Sequence, residues 1–154
     1  MRIVLAAALA LLLAAPAARA QAPAPGYGPN ITLEAARRIV EAGIRDAQGR
    51  NLAMAVAVVD TAGNLVAFAR ADGTQTASLA IAIEKARTAA AFRRPTKVWE
   101  DALAGGRTAV LALPGIMPIE GGLPILQENR IVGAIGVSGG TAQEDGQVAA
   151  AALR

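Results

Sequence analysis

Apolar residues recur along this chain in two different periods. In the first, Leu33, Ala36, Ile39, Val40, Gly43 and Ile44 fall on one side of a helix, with Arg37, Arg38, Glu41 and Arg45 on the other. Thr32 is a suitable N-cap, Glu34 suits the positive end of the helix, and Gly49 ends it, so a helix is predicted over 33–48. In the second period the residues alternate. Over 52–60, Leu52, Met54, Val56 and Val58 lie on one face, and Ala53, Ala55, Ala57 and Val59 on the other. Both faces are apolar, which predicts a strand covered on both sides. The small face leaves room for a helix or a second subunit to come close. Residues 61–64 turn the chain, and 65–70 return as a hairpin partner.

The helical period resumes in the Ala-rich stretch 77–92, with Ser78, Ile81, Lys85, Thr88 and Phe92 along one side, and Pro95 stops it. Thr96 is the expected cap of a short helix over 97–103, and 107–116 reads as loop. Three short strands are predicted next, at 117–120, 123–127 and 131–138. Thr141 and Glu144 have the spacing of a capping box that opens a final helix. The order α-β-β-α-α-β-β-β-α predicts an α+β domain: a five-stranded antiparallel meander sheet flanked by helices.

The most distinctive stretch is GGLPILQENRIVGAIGVSGG, residues 121–140. Gly133, Ala134 and Gly136 leave strands with little bulk, which suits close backbone approach by a helix, a subunit or a flat ligand. Ser138, Gly139 and Gly140 then lead into the capped helix. Their N–H groups form a candidate cradle for an anion or carboxylate at the helix's positive end. The other reading is a tight strand-to-helix turn that caps itself. No Gly-Lys-Ser/Thr sequence follows, so this is not a phosphate-binding P-loop.

The chain's ends and composition narrow the function. Residues 1–20, MRIVLAAALALLLAAPAARA, have a basic start, a short apolar run and an Ala-x-Ala ending. They read as a cleaved signal peptide, which predicts a periplasmic or secreted protein without a stable membrane anchor. Residues 21–30 read as a flexible arm rich in Pro, Gly and Ala, and 31–154 as one domain. The formal net charge is +3, and removing the leader takes Arg2 and Arg19 with it. Without a basic stripe interleaved with aromatics, no nucleic-acid partner is expected. The chain has no Cys and no His. That excludes a Ser-His-Asp triad, a thiol nucleophile and an ordinary zinc site. Any general base must be Asp, Glu, Lys or Tyr. Stability must come from packing, and a homo-oligomer, dimer or larger, is expected.

Four segments together carry a resemblance: AVVDTAGNLVAFARADG (57–73), SLAIAIEKARTAAAF (78–92), GGLPI (121–125) and GAIGVSGG (133–140). In this order and spacing they resemble the GlcG/HbpS family, small proteins similar to the C-terminal domain of the PduO cobalamin adenosyltransferase. The resemblance covers about residues 31–153. It implies a five-stranded antiparallel sheet with flanking helices and a tendency to form dimers and larger assemblies. It also implies haem as the cofactor or ligand, since several members bind it. Some exported members are linked to haem uptake, iron handling or oxidative-stress sensing, and others sit in glycolate or diol operons. This chain departs from the histidine ligation often discussed for the family. The candidate axial ligands that remain are Tyr27, Met54 and Met117. Alternatively the ring lies on an apolar surface and its propionates meet Arg70, Arg87, Arg93 or backbone N–H groups.

The candidate ligand-binding residues are Arg70, Asp72, Ser78, Lys85, Thr88, Gly122, Ser138, Gly139 and Gly140. Lys85, in an Ala-rich helix, is the best candidate for a buried polar anchor. Asp60, at a hairpin, is expected to bind turn amides. The expected function is an exported small-ligand-binding protein for haem or a related tetrapyrrole, in uptake, storage or sensing. The alternative is an enzyme or accessory subunit acting on haem or on a small carboxylate or aldehyde. Such an enzyme would lean on Lys85, Asp60, Asp72 or Glu120.

Overall fold

The helix read from the first apolar stripe forms as α1, Leu33–Gly49, and Thr32 accepts a hydrogen bond from the Ala35 N–H as its N-cap. These positions come from a computed structural model that describes residues 23–154; the expected signal peptide at 1–20 lies outside the described residues. β1 (Ala55–Val59) and β2 (Leu65–Arg70) follow, then α2 (Ser78–Phe92) and α3 (Lys97–Ala104). After α3 come a 3-10 turn at Thr108–Ala112, β3 (Gly122–Gln127), β4 (Arg130–Ser138) and α4 (Ala142–Ala152). No described helix is long and apolar enough to cross a membrane.

The α+β class and the antiparallel sheet are as expected, but the sheet differs in two respects. It has four strands in the described residues, in the order β2-β1-β4-β3, where five had been predicted. Residues 117–120 do not pair into a strand. Pro118 lacks an N–H, the Met117 N–H donates to the Thr88 hydroxyl, and the Glu120 N–H donates to the Glu100 carboxylate. Nor is the sheet a meander. It consists of two hairpins whose inner strands, β1 and β4, pair across the α2–α3 excursion. The β3–β4 hairpin turns at Glu128 and Asn129, both with positive φ, as a two-residue turn between twisted strands requires. The stretch read as loop at 107–116 contains the 3-10 turn, held down by buried Val110.

The two faces of the sheet are covered unequally. Val56 and Val58 of β1, with Ile135 and Val137 of β4, face α1 and α4, and Met54 joins the same cluster just before β1. They pack there on Val40, Ala47, Val148 and Ala152. On the reverse face Ala55, Ala57, Val59 and Ala134 lie under Ala82, Ala86, Ala89 and Ala90 of α2. The small face predicted for β1 is therefore covered by a helix of the same chain. Two glycines paired across β3 and β4, Gly122 and Gly136, set how close that helix comes. A Cβ on Gly136 would stand 2.0 Å from the Ala82 carbonyl oxygen, and one on Gly122 would stand 2.4 Å from that of Lys85. Real side chains never approach backbone so closely, so α2 rests directly on strand backbone.

The segment before α1 extends the centre of the sheet. The Gly28 N–H donates to Ile131 O at 2.7 Å, and the Ile31 N–H donates to Val132 O at 2.7 Å. Tyr27 bridges to Ile131, and its hydroxyl donates to Ala90 O at 2.9 Å.

Candidate functional site

Of the nine candidate ligand-binding residues, all but Arg70 and Asp72 gather where α2, the sheet and the start of α4 meet. Lys85 is fully buried there, and its Nζ donates to Asp145 Oδ2 at 2.6 Å and to Val137 O at 3.1 Å. Asp145 sits in the first turn of α4, where the helix's positive end favours a carboxylate. Its other oxygen accepts from the Gly140 N–H at 3.0 Å. Burial pushes the Asp145 carboxyl above its ordinary value, against the opposing pull of Lys85 and of the Gly140 and Gly139 amides. Gly121 takes a φ of 127° beside this pair, and a Cβ on it would lie 2.9 Å from Lys85 Nζ.

The surrounding polar groups are likewise satisfied within the chain. Ser138 Oγ donates to Ser78 Oγ at 3.2 Å, and both residues are buried. Thr88 accepts from the Met117 N–H at 2.9 Å and donates to Gly115 O at 3.2 Å, pinning the loop before β3. Both backbone groups of Gly122 bond to Thr96, whose hydroxyl is thereby turned away from capping α3. The Ser138–Gly140 turn is the self-capped one. Thr141 and Glu144 form the full capping box, and Asp145 takes the Gly140 N–H.

Other candidates lie apart from this centre. Arg70 ends β2 in solvent, and Asp72 lines a recess with Gln48 and Asn51. Arg87 pairs with Glu84 at 2.6 Å and donates to Gly63 O at 3.1 Å. Arg93 stacks over the Tyr27 ring, 5.7 Å from its centroid. Met54 is fully buried, and Met117 is half-buried in the loop held by Thr88. Asp60 does what its hairpin position predicted, accepting from the Ala62 and Asn64 N–H groups at 2.9 Å each. Burial works to raise its carboxyl, but the hydrogen bonds from Asn64, Ala62 and Gly63 prevail and hold it below its ordinary value. Glu120 crowds Gly146 and faces Lys97 at 3.7 Å.

The opposite side of the molecule is open. α1, the end of α4 and β3 bound a groove of about 660 Å³. Its apolar wall includes Ile39, Ala42, Ile125 and Leu126, and its cationic rim includes Arg38 and Arg45, with Arg154 as a third arginine. Positions 38, 42 and 45 make one stripe on α1, so the two guanidiniums bracket Ala42. Arg38 pairs with Glu34, and Arg45 with Glu41 at 3.8 Å, all four side chains being well exposed. Such pairs are readily exchanged for a better partner. Leu126 is 53% exposed. A register shift between Ile125 and Leu126 accompanies that exposure on the edge strand. Sequence reasoning assigned Arg38 and Arg45 to a solvated face. The signal available was the Arg-Ala-Arg stripe beside Ile39, but its facing wall, β3, is distant in sequence.

Comparison with known proteins finds relatives of the chain and of its fold. A family model described as "Haem degrading protein HbpS-like" matches residues 31–154. Protein GlcG of Escherichia coli strain K12 is 42% identical over 108 residues, spanning 70% of this chain and 81% of that protein. The crystal structure of a double mutant of HbpS from Streptomyces reticuli superposes with a TM-score of 0.75 at 32% identity, covering 87% of this chain and 96% of that one. The crystal structure of a PduOC–haem complex superposes with a TM-score of 0.73, covering 80% of this chain and 93% of that one. Its identity is 22%, so that likeness is one of fold.

Proposed function

The chain belongs to the HbpS-like family, and on that premise we propose that it is an exported binding protein for haem or a related tetrapyrrole. Uptake, storage or sensing is the purpose this reading assigns to it. The observation that carries the reading is the family match across residues 31–154, the whole domain. Export rests on the leader at 1–20. Assembly into a homo-oligomer is part of the same proposal. It is supported by β2, an outermost strand whose Leu65 is 46% exposed.

The residues present fit one part of haem and not another. An apolar surface with a cationic rim suits a flat ring that carries carboxylates. A side chain free to ligate iron is harder to find. There is no His or Cys, Met54 is fully buried, and the Tyr27 hydroxyl is engaged with Ala90 O. Met117, half-buried in the loop held by Thr88, is the one candidate neither fully buried nor so engaged. Bound haem would bring its own redox chemistry, while the protein would supply burial of the ring and neutralisation of its acids.

Titrating the purified protein with haem and following absorbance tests the reading. A saturable Soret shift at micromolar haem is expected; a linear, non-saturating response would leave the family fold without a haem function. The family description also names degradation, which gives a second reading. Under that reading the Soret band of the bound complex decays with turnover, while under the first it persists.

A further inference from the structure

We propose that the groove between α1, β3 and α4 is the ligand seat, and that it holds a tetrapyrrole by ring and carboxylates, independently of the iron. This deepens the reading above and rests on it. The groove's volume of about 660 Å³ falls within the about 300–1,000 Å³ of small-molecule sites. Its lining holds three arginines and no acidic side chain, although Glu34 and Glu41 pair with Arg38 and Arg45 at the rim and must exchange for the ligand's carboxylates. Four other recesses each include an acid, among them Glu41, Glu84 and Asp72, which would repel a dianion. The wall matches the charge pattern of the ligand: Ile39, Ala42, Ile125 and Leu126 offer an apolar surface, and Arg38 and Arg45 flank it. Small Ala42 leaves the space between the guanidiniums clear. The exposed Leu126 is an apolar surface that a flat ring would cover.

The same lining explains why iron plays no part. None of the groove residues is His, Cys, Met or Tyr. Met54 belongs to the buried core, Tyr27 is fixed to the α2 end of the opposite face, and Met117 lies outside the groove, in the loop that Thr88 of α2 holds. Binding here is therefore a matter of area and charge, which an iron-free ring supplies as well as haem does.

The test measures dissociation constants for haem and for iron-free protoporphyrin, by absorbance and fluorescence. The variants are Arg38→Glu/Arg45→Glu and Ala42→Trp, each checked for native circular dichroism. The two rings are expected to bind the unaltered protein within about threefold of one another. The arginine reversal is expected to weaken both by about tenfold or more, and Trp at position 42 to weaken both by obstruction. Should the arginine reversal unfold the protein, Leu126→Asp on the exposed rim replaces it. Haem bound equally well by all variants would overturn the placement while leaving the haem function intact. Haem bound and the iron-free ring refused would overturn iron independence. Neither ring bound by the unaltered protein would overturn the haem function, and this inference with it.

Discussion

The two faces of the sheet use their residues in opposite ways. Under α2 the floor is Ala55, Ala57, Ala134 and Gly136, the helix touches strand backbone, and the polar groups are consumed internally. Under α1 and α4 the floor is Met54, Val56, Val58, Ile135 and Val137, whose larger side chains meet the helices, and a groove opens at the β3 edge. The glycine-rich, polar motifs that look like chemistry in the sequence thus serve the closed face. The open face is lined by residues of an ordinary amphipathic helix. A distinctive motif can be distinctive because it permits packing, while a binding surface needs only apolar area and charge left uncovered.

The strongest way to break this contrast is to remove one partner of the buried ion pair. Asp145→Ala leaves Lys85 charged and uncompensated, and is expected to cost about 3–5 kcal/mol in denaturant unfolding. A loss below about 1 kcal/mol would mean that the closed face tolerates water, against the packing described. Next in size is Gly136→Ala. The added methyl must push α2 off the sheet, at an expected cost of about 1–3 kcal/mol. Thr141→Ala removes one half of the capping box and is expected to cost about 1 kcal/mol. On the open face, Arg38→Glu/Arg45→Glu should change the unfolding free energy by no more than about 0.5 kcal/mol per site. A large effect there would make the groove a stability element.

The subtlest test compares two acids adjacent in sequence. The Thr141 backbone and hydroxyl hold Glu144 below its ordinary 4.5, while burial pushes Asp145 above its ordinary 3.8. The signs of their linkage are therefore opposite. Glu144 contributes stability that is fully present above 4.5 and is lost as pH falls through its lower folded value. Ionising Asp145 opposes folding, so its contribution declines as pH rises from 3.8 through its higher folded value. Carboxyl titration by NMR should place the pair on opposite sides of their ordinary values. Two unshifted curves would remove the electrostatic difference between surface cap and buried anchor.

Legibility followed the range of the forces. α1, β1, the β1–β2 hairpin, α2 and the capping box were readable because each is decided by spacings of a few residues. So was Asp60, whose hydrogen bonds stay within four positions. Lys85 was readable as a buried anchor from its isolation in an Ala-rich helix, but its partner was not. Asp145 lies 60 residues away and has an equally good local role at a helix start. The strand expected at 117–120 failed for a similar reason. Its apolar residues suit a strand, but a strand also needs a neighbour to pair with, and Thr88 and Glu100 take its amides instead.

By itself, then, the sequence determined the periodic elements, the N-caps at Thr32 and Thr141, the small face of β1 and the absence of any His or Cys chemistry. All of these depend on residue type and on contacts a few positions long. The tertiary structure alone decided the strand order β2-β1-β4-β3, the helix that fills each face, and the carboxylate that meets Lys85. It also decided that two arginines on the outside of α1 look across at β3. Those outcomes depend on how separately stable pieces share one core. Burial and pairing between distant segments are collective, and no local pattern encodes them.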